Sequence, residues 1–274
     1  MGLVNDIKKS AARNGTKIQS SEAAKLEKIL NRLFFLPHDI EGETAFVRHV
    51  MTRGEETQER RGLHASNVLV GDNKYCVRAM VLSLAYKQTQ GEEVSADLKK
   101  IFEEGNAIHE KWQRLFIRGG YGTYKDMDST HFCEEYQLYY SPDAIVTIPE
   151  FYDEPMVCEI KSVNTFQFKK MVKHPSAWKQ CQFYMHMRGL KRGFVLNEDK
   201  NTQEIRLEVY DYDHELLLPY EERLDEIAYR YKRMVDDKKL CKRPEKAVSP
   251  DCKFCENCVM KDACWNIGMG RVLL

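Results

Sequence analysis

The sequence carries no surplus of either charge: 42 Lys and Arg stand against 42 Asp and Glu in 274 residues, a formal net charge of zero. Neutrality says little about partners, since a nucleic-acid enzyme need not be basic overall if its positive charge is local. Long apolar runs are also missing. None approaches the roughly 18 residues of a bilayer-spanning helix, so no membrane partner is expected. Residues 1–15, MGLVNDIKKSAARNG, lack the apolar centre of a secretory signal. Asp6 occupies the position where a myristoylation signal has Ser or Thr. These absences lead to the expectation of an intracellular protein. There is no internal repeat, no low-complexity tract and no G-x-x-x-x-G-K-[ST] loop, which excludes a repeat array and a P-loop motor within this stretch.

Apolar residues at 43% and charged residues at 31% describe a globular chain. Its length suits one large domain, or one domain with accessory segments. Of nine cysteines, Cys252, Cys255, Cys258 and Cys264 crowd into residues 252–264 as C-x2-C-x2-C-x5-C. In a reducing compartment such clustering points to metal binding and not to a disulfide framework. Four local thiolates can hold zinc as a small structural knot. Thiolates equally hold a four-iron–four-sulfur cluster.

Residues 140–184 are the most informative stretch and predict a strand, a turn, a second strand and a helix. In the first strand Asp143, Ile145 and Thr147 share one side, with Ala144, Val146 and Ile148 opposite. In the second, Val157, Glu159 and Lys161 share one side, with Met156, Cys158 and Ile160 opposite. A hairpin brings Asp143 and Glu159 side by side, and Lys161 follows on the same face. Two carboxylates that repel each other, with a lysine, make a poor core but a good seat for a divalent cation. A solvated cross-strand charge pair does not explain why all three share one face while the other face is wholly apolar. The helix is expected to start past Pro175, with Ser176 as cap, and to stop near Gly189. Gln180 and Tyr184, four residues apart on it, share a face that can look toward the carboxylates.

The order Pro142-Asp143, Glu159-Ile160-Lys161, Gln180-x-x-x-Tyr184 resembles the PD-(D/E)XK nuclease superfamily, specifically its RecB-like branch. Over residues 63–270 the chain is most similar to CRISPR-associated and phage-borne iron–sulfur exonucleases. The resemblance implies an α/β (α+β) fold, a central mixed β-sheet flanked by helices with a restriction-endonuclease-like core. It implies a metal-dependent DNA exonuclease acting on single-stranded ends, in the cytoplasm of a bacterium or of a phage's host. An endonuclease or flap nuclease is the enzymatic alternative. The other alternative is a non-catalytic DNA-end-binding subunit, and a recombinase, helicase or integrase is an expected partner class. By the same resemblance His109, in the setting Gly105-x-x-x-His109, becomes a metal ligand on a helix upstream of the PD motif. Cys76, followed by Arg78, becomes the fourth cluster ligand beside Cys255, Cys258 and Cys264, an iron–sulfur clasp joining the N- and C-terminal parts of the nuclease domain. Cys252 is the possible substitute, in a zinc site.

The residue types suit that chemistry. Asp143 and Glu159 offer hard oxygens to Mg²⁺ or Mn²⁺, the Ile160 carbonyl can complete the seat, and an imidazole from His109 tilts preference toward Mn²⁺. Lys161 is placed to steady an attacking hydroxide or developing charge, and Gln180 and Tyr184 to orient water and phosphate. Lys169, Lys170, Lys173 and Lys179 lie between the catalytic strand and the helix, with Lys191 and Arg192 following, as candidate DNA contacts. Phe166, Phe168 and Trp178 among them can stack on bases or serve as core.

Elsewhere, residues 1–60 read as a helical accessory segment, ahead of a nuclease domain over 61–274. Lys8, Lys9, Arg13 and Lys17 are scattered at its start, and Leu26, Ile29, Leu30, Leu33 and Phe34 stripe a helix that docks on the main domain. A helix is predicted over 97–118, with Leu98, Ile101, Phe102, Ile108, Trp112, Leu115 and Phe116 on its buried side and Gly105 admitting a close backbone. Residues 193–213 predict a hairpin extending the sheet, and 215–240 a long helix with an apolar stripe.

Overall fold

The computed structural model describes residues 21–55, 62–86 and 95–266. The four N-terminal basic residues Lys8, Lys9, Arg13 and Lys17 lie outside them. The chain forms two compact units, one of Met1–Glu55, Lys100–Ser129 and Pro142–Asp213, the other of Glu56–Lys99, Thr130–Ser141 and His214–Leu274. Residues 61–274 are shared between both units, and the helix at residues 21–32 buries Leu26, Ile29 and Leu30 in the core beneath the first unit's sheet.

That sheet has four strands in the order Ala144–Ile148, Tyr152–Val163, Arg192–Asp199, Ile205–Asp211. The outer pairs are antiparallel and the central pair is parallel. A parallel pair cannot be joined by a tight turn, and here the connection carries the helices Thr165–Lys170 and Ala177–Arg188. Alternation is clean in the first strand, where Ala144, Val146 and Ile148 are buried and Ile145 and Thr147 half-buried. In the second strand Met156 through Ile160 are all buried, as expected of a central strand covered on both faces. One face packs Met156, Cys158 and Ile160 against Trp112, Leu115 and Phe116 of the helix Ala96–Arg118. The other lies under Ala177–Arg188. The approach there is tight at Gly193, where a Cβ would come 2.6 Å from the Cys181 sulfur and 3.0 Å from the Val157 carbonyl.

Two expectations for the helix Ala96–Arg118 fail. Ile101 and Phe102 are exposed, because the shared core begins only at Ile108 and Trp112. A Cβ on Gly105 would meet nothing within 4 Å, so no backbone approaches it among the described residues.

The second unit holds a three-stranded sheet in the order Leu63–His64, Leu138–Tyr140, His131–Cys133, its first pair parallel and its second antiparallel. The helix Val77–Ala85 packs on the long helix Leu218–Asp237, which buries Tyr220, Leu224, Ile227 and Met234. Arg223 of that helix donates to the carbonyls of Val68 and Val70 at 2.5 and 2.7 Å. No helix among the described residues is long and apolar enough to cross a membrane.

Candidate active site

The hairpin register pairs Ala144 with Cys158 and Ile145 with Val157, so one step back sets Asp143 opposite Glu159. Asp143 is pinned at several atoms. Its Oδ2 accepts from the Ile160 amide at 2.7 Å, and its carbonyl accepts from the Asp128 amide at 2.9 Å and from Gln113 Nε2 at 2.7 Å. His109 Nδ1 stands 3.3 Å from Asp143 Oδ1. In an extended strand a residue's N–H and C=O point to the same side, so the Ile160 carbonyl faces the Asp143 side with its amide. Lys161 Nζ donates to Glu159 Oε1. The Glu159 side chain is 2% exposed, and its Oε2 has no hydrogen-bond partner. Tyr184, buried on Ala177–Arg188, is hydrogen-bonded to Gln180 and feels the charges of Glu159 and Asp143. These contacts and charges bring Asp143, Glu159, Lys161, His109, Gln180 and Tyr184 together.

The two acids differ electrically. Burial first, and then the neighbouring Asp143 charge, push the Glu159 carboxyl up to about 7, with Lys161 offsetting only part. Burial would also raise Asp143, but His109, Lys161 and the Ile160 amide outweigh it and hold the group below its usual value. For His109 and Lys161 burial disfavours the charge, yet the carboxylates beside them raise both groups. Each carboxylate therefore leans on its own cation, Asp143 on His109 and Glu159 on Lys161. His109, Asp143 and Glu159 accordingly do not offer three ligand atoms all within 4.8 Å of one another. The unpartnered Glu159 oxygen is the feature that fits a cation, because a buried carboxylate oxygen without a donor is strongly disfavoured.

Sequence reasoning misplaces some supporting residues. Ser176 makes no side-chain cap. His174 Nδ1 takes that part, accepting from the Ser176 and Ala177 amides at 3.3 and 3.0 Å. The His174 amide in turn donates to Glu208 Oε1 at 2.7 Å, where Asn197 Nδ2 also donates at 2.8 Å. Glu159, Val195 and Glu208 are register partners across three strands, so a polar strip leads from the candidate site under the loop that holds His174. Only the polar interruption of the last strand by Glu208 hints at this.

Of the candidate DNA contacts, Lys169 and Lys170 are exposed at the end of Thr165–Lys170, and Lys170 lies 3.9 Å over the Phe166 ring. Phe166 is exposed and Phe168 buried, which divides the stacking candidates. Lys173 is exposed and lies over the rings of Trp178 and Tyr210, 4.7 and 4.8 Å from their centres, and partial desolvation lowers its pKa. Lys179 lies over Trp178 at 5.7 Å.

In the second unit, Cys76 opens the helix Val77–Ala85, and together with Cys255, Cys258 and Cys264 it lines a cavity of about 430 Å³. Cys252 does not line it. Its sulfur contacts the Lys246 carbonyl at 3.6 Å and the Cys255 thiol. Burial, then Cys252 and Cys258, push the Cys255 thiol up to about 12. Burial also pushes Cys76 up to about 11, with Cys258 and Cys264 adding to it. Four sulfurs face a common space, burial raises the Cys76, Cys255 and Cys258 thiols, and a cation there would favour their ionised form. No three of them lie within 4.8 Å of one another, whereas tetrahedral zinc holds its sulfurs about 3.8 Å apart.

No protein-family profile matches the chain, and no curated protein does. Among solved structures it is similar to LHK-Exo in complex with dAMP, at 16% identity and TM-score 0.47 over 64% of this chain and 90% of that one. It is similar to the alkaline exonuclease LHK-Exo from Laribacter hongkongensis at 15% identity and TM-score 0.45, over 65% and 92% of the two chains. A third likeness is to SSO0001, at 13% identity and TM-score 0.43 over 80% and 92%. At these scores the likeness carries no argument about fold or activity.

Proposed function

We propose that the chain is a metal-dependent deoxyribonuclease of the PD-(D/E)XK superfamily, RecB-like branch, which hydrolyses single-stranded DNA from an end. The observation that carries the reading is the buried, unpartnered Glu159 oxygen, set opposite Asp143 and beside Lys161. Asp143, Glu159, His109 and the Ile160 carbonyl are the residues that would hold Mg²⁺ or Mn²⁺. When bound, such an ion acidifies a water and withdraws charge from the phosphoryl group.

The chain's own residues supply the rest. Lys161, kept charged by two carboxylates, steadies negative charge on the attacking oxygen. Tyr184, oriented by Gln180, donates its hydroxyl to a phosphate oxygen. As the water oxygen bonds to phosphorus, the P–O bond to the leaving nucleotide breaks, and the water's proton ends on the leaving oxygen. Exposed Phe166 beside Lys170 supports a single-stranded substrate, since a ring flanked by cations suits an unpaired base and its phosphate.

The four cavity cysteines support a four-iron–four-sulfur cluster ligated by Cys76, Cys255, Cys258 and Cys264, with Cys252 outside the set. Stoichiometric iron and acid-labile sulfide in anaerobically purified protein are the expected result. Zinc without iron would reverse that assignment.

The activity is tested with end-labelled linear and circular single-stranded DNA and Mn²⁺ or Mg²⁺. Loss of linear but not circular substrate is expected, and it should vanish in Asp143→Ala and Lys161→Ala. Cutting of circles would replace the exonuclease with an endonuclease. Binding without cutting would leave a DNA-end-binding subunit.

A further inference from the structure

Arg78 stands at the cysteine cavity in a way that the four thiols alone do not explain. It lies two residues after Cys76, in the first turn of the helix Val77–Ala85, and is 1% exposed. Its Nε donates to Cys264 Sγ at 3.1 Å, its Nη2 to the Cys264 carbonyl at 3.3 Å, and its Nη1 to the Cys241 carbonyl. Arg243 makes a further bond to the Cys264 carbonyl at 2.7 Å and lies 4.0 Å over the Trp265 ring. One buried guanidinium therefore joins the segment that opens with Cys76 to both later segments, and one of its donors is aimed at sulfur.

A neutral thiol is a weak acceptor. Bringing a guanidinium out of water to face one gains little, whereas an electron-rich ligand sulfur returns a charge-assisted bond. The planar fork also reaches a sulfur and two carbonyls at once, which an ammonium on a flexible stem does not.

We infer that Arg78 is a positioning residue for the metal centre, whose Nε–H bond to the Cys264 sulfur fixes that ligand and raises the reduction potential of the cluster. The inference rests on the iron–sulfur reading above. The physical ground is general. Hydrogen bonds and positive charge at the ligand sulfurs draw electron density away from the irons and favour the reduced state. Groups that orient metal ligands from outside the coordination sphere commonly change affinity 10- to 100-fold when altered.

The test uses the full chain, purified without oxygen, as wild type, Arg78→Lys and Arg78→Gln. Iron and sulfide content, reduction potential by redox titration and the rate of iron loss to a chelator are measured, with circular dichroism as a check on folding. Both variants are expected to have a more negative potential, Arg78→Gln more so because it also loses the charge, and to lose iron roughly 10- to 100-fold faster. Loaded variants with the wild-type potential would overturn the inference while leaving the cluster intact. Wild-type protein without iron would overturn the cluster reading and the inference together. If neither variant loads, the reduced wild-type cluster decides the matter. With the arginines labelled with ¹⁵N, electron–nuclear double resonance should detect a guanidinium nitrogen and an exchangeable proton coupled to the cluster, and their absence would refute the bond.

Discussion

Replacing Glu159 by Gln should make the protein more stable and catalytically dead. The carboxyl is 2% exposed and is pushed from its ordinary value of 4.5 up to about 7, by burial first and the Asp143 charge second. Because the folded state binds this proton more tightly than the unfolded chain, the carboxylate penalises folding as pH rises. The penalty is absent below about pH 4.5, grows through the interval and is complete above about pH 7. At 1.36 kcal/mol per unit its full size is about 3 kcal/mol. The amide removes that penalty but also removes the charge facing Lys161, which keeps only Asp143, so the net gain above pH 7 is about 2 kcal/mol. That corresponds to a rise of about 4–8 °C in the unfolding midpoint for a protein of this size.

Thermal unfolding of both proteins from pH 5 to 9 in a chelator reads this directly. The gap should widen up to about pH 7 and then level. Saturating Mn²⁺ should close it by stabilising wild type, by about 2.7 kcal/mol at a hundred times the dissociation constant, with little effect on the variant. A Glu159→Gln protein no more stable than wild type at pH 8, or one that still cuts DNA, would refute the reasoning.

The helix carrying Gln180 and Tyr184 should depend on His174 through Nδ1, not through charge. His174→Asn, which keeps an acceptor at that place, should unfold within about 0.5 kcal/mol of wild type, whereas His174→Ala should lose about 1 kcal/mol in urea titration. Glu43 is half-ringed by Arg118, Arg114 and His38. Burial would raise its carboxyl, but these partners outweigh it and lower the group to about 2. Its contribution, about 2 kcal/mol once screening of the more exposed Arg114 is allowed for, should be intact above about pH 4.5 and disappear as pH falls toward 2. Glu43→Gln should unfold at the same midpoint as wild type at pH 2 and earlier than wild type at pH 7.

The hairpin and its acidic pair were legible because a strand's period of two assigns faces without ambiguity. Once Ala144, Val146 and Ile148 take the core side, Asp143 must stand with Glu159 and Lys161. Gln180 and Tyr184 follow from helical spacing for the same reason. What was not legible depends on segments meeting far along the chain. Glu208 alternates with Leu207 and Val209 and reads as solvent-facing, yet it is buried, because the His174 segment folds over it. The capping role of His174 arises from a turn that places Nδ1 at the helix end, while Ser176 holds the position that sequence rules favour. Nothing in the spacing of Lys173 shows that it lies over the rings of both Trp178 and Tyr210, the second of which comes from a distant strand. The two units interleave three chain segments each, so no single boundary along the sequence separates them.

The central claim is that Asp143 and Glu159 grip one divalent cation. Crystals grown with Mn²⁺ and measured at the manganese absorption edge test it without recourse to activity. One anomalous peak is expected, with an oxygen of each carboxylate about 2.1 Å away and Glu159 turned off Lys161. A structure saturated in Mn²⁺ with no peak between the two carboxylates, and Glu159 still bonded to Lys161, would contradict it.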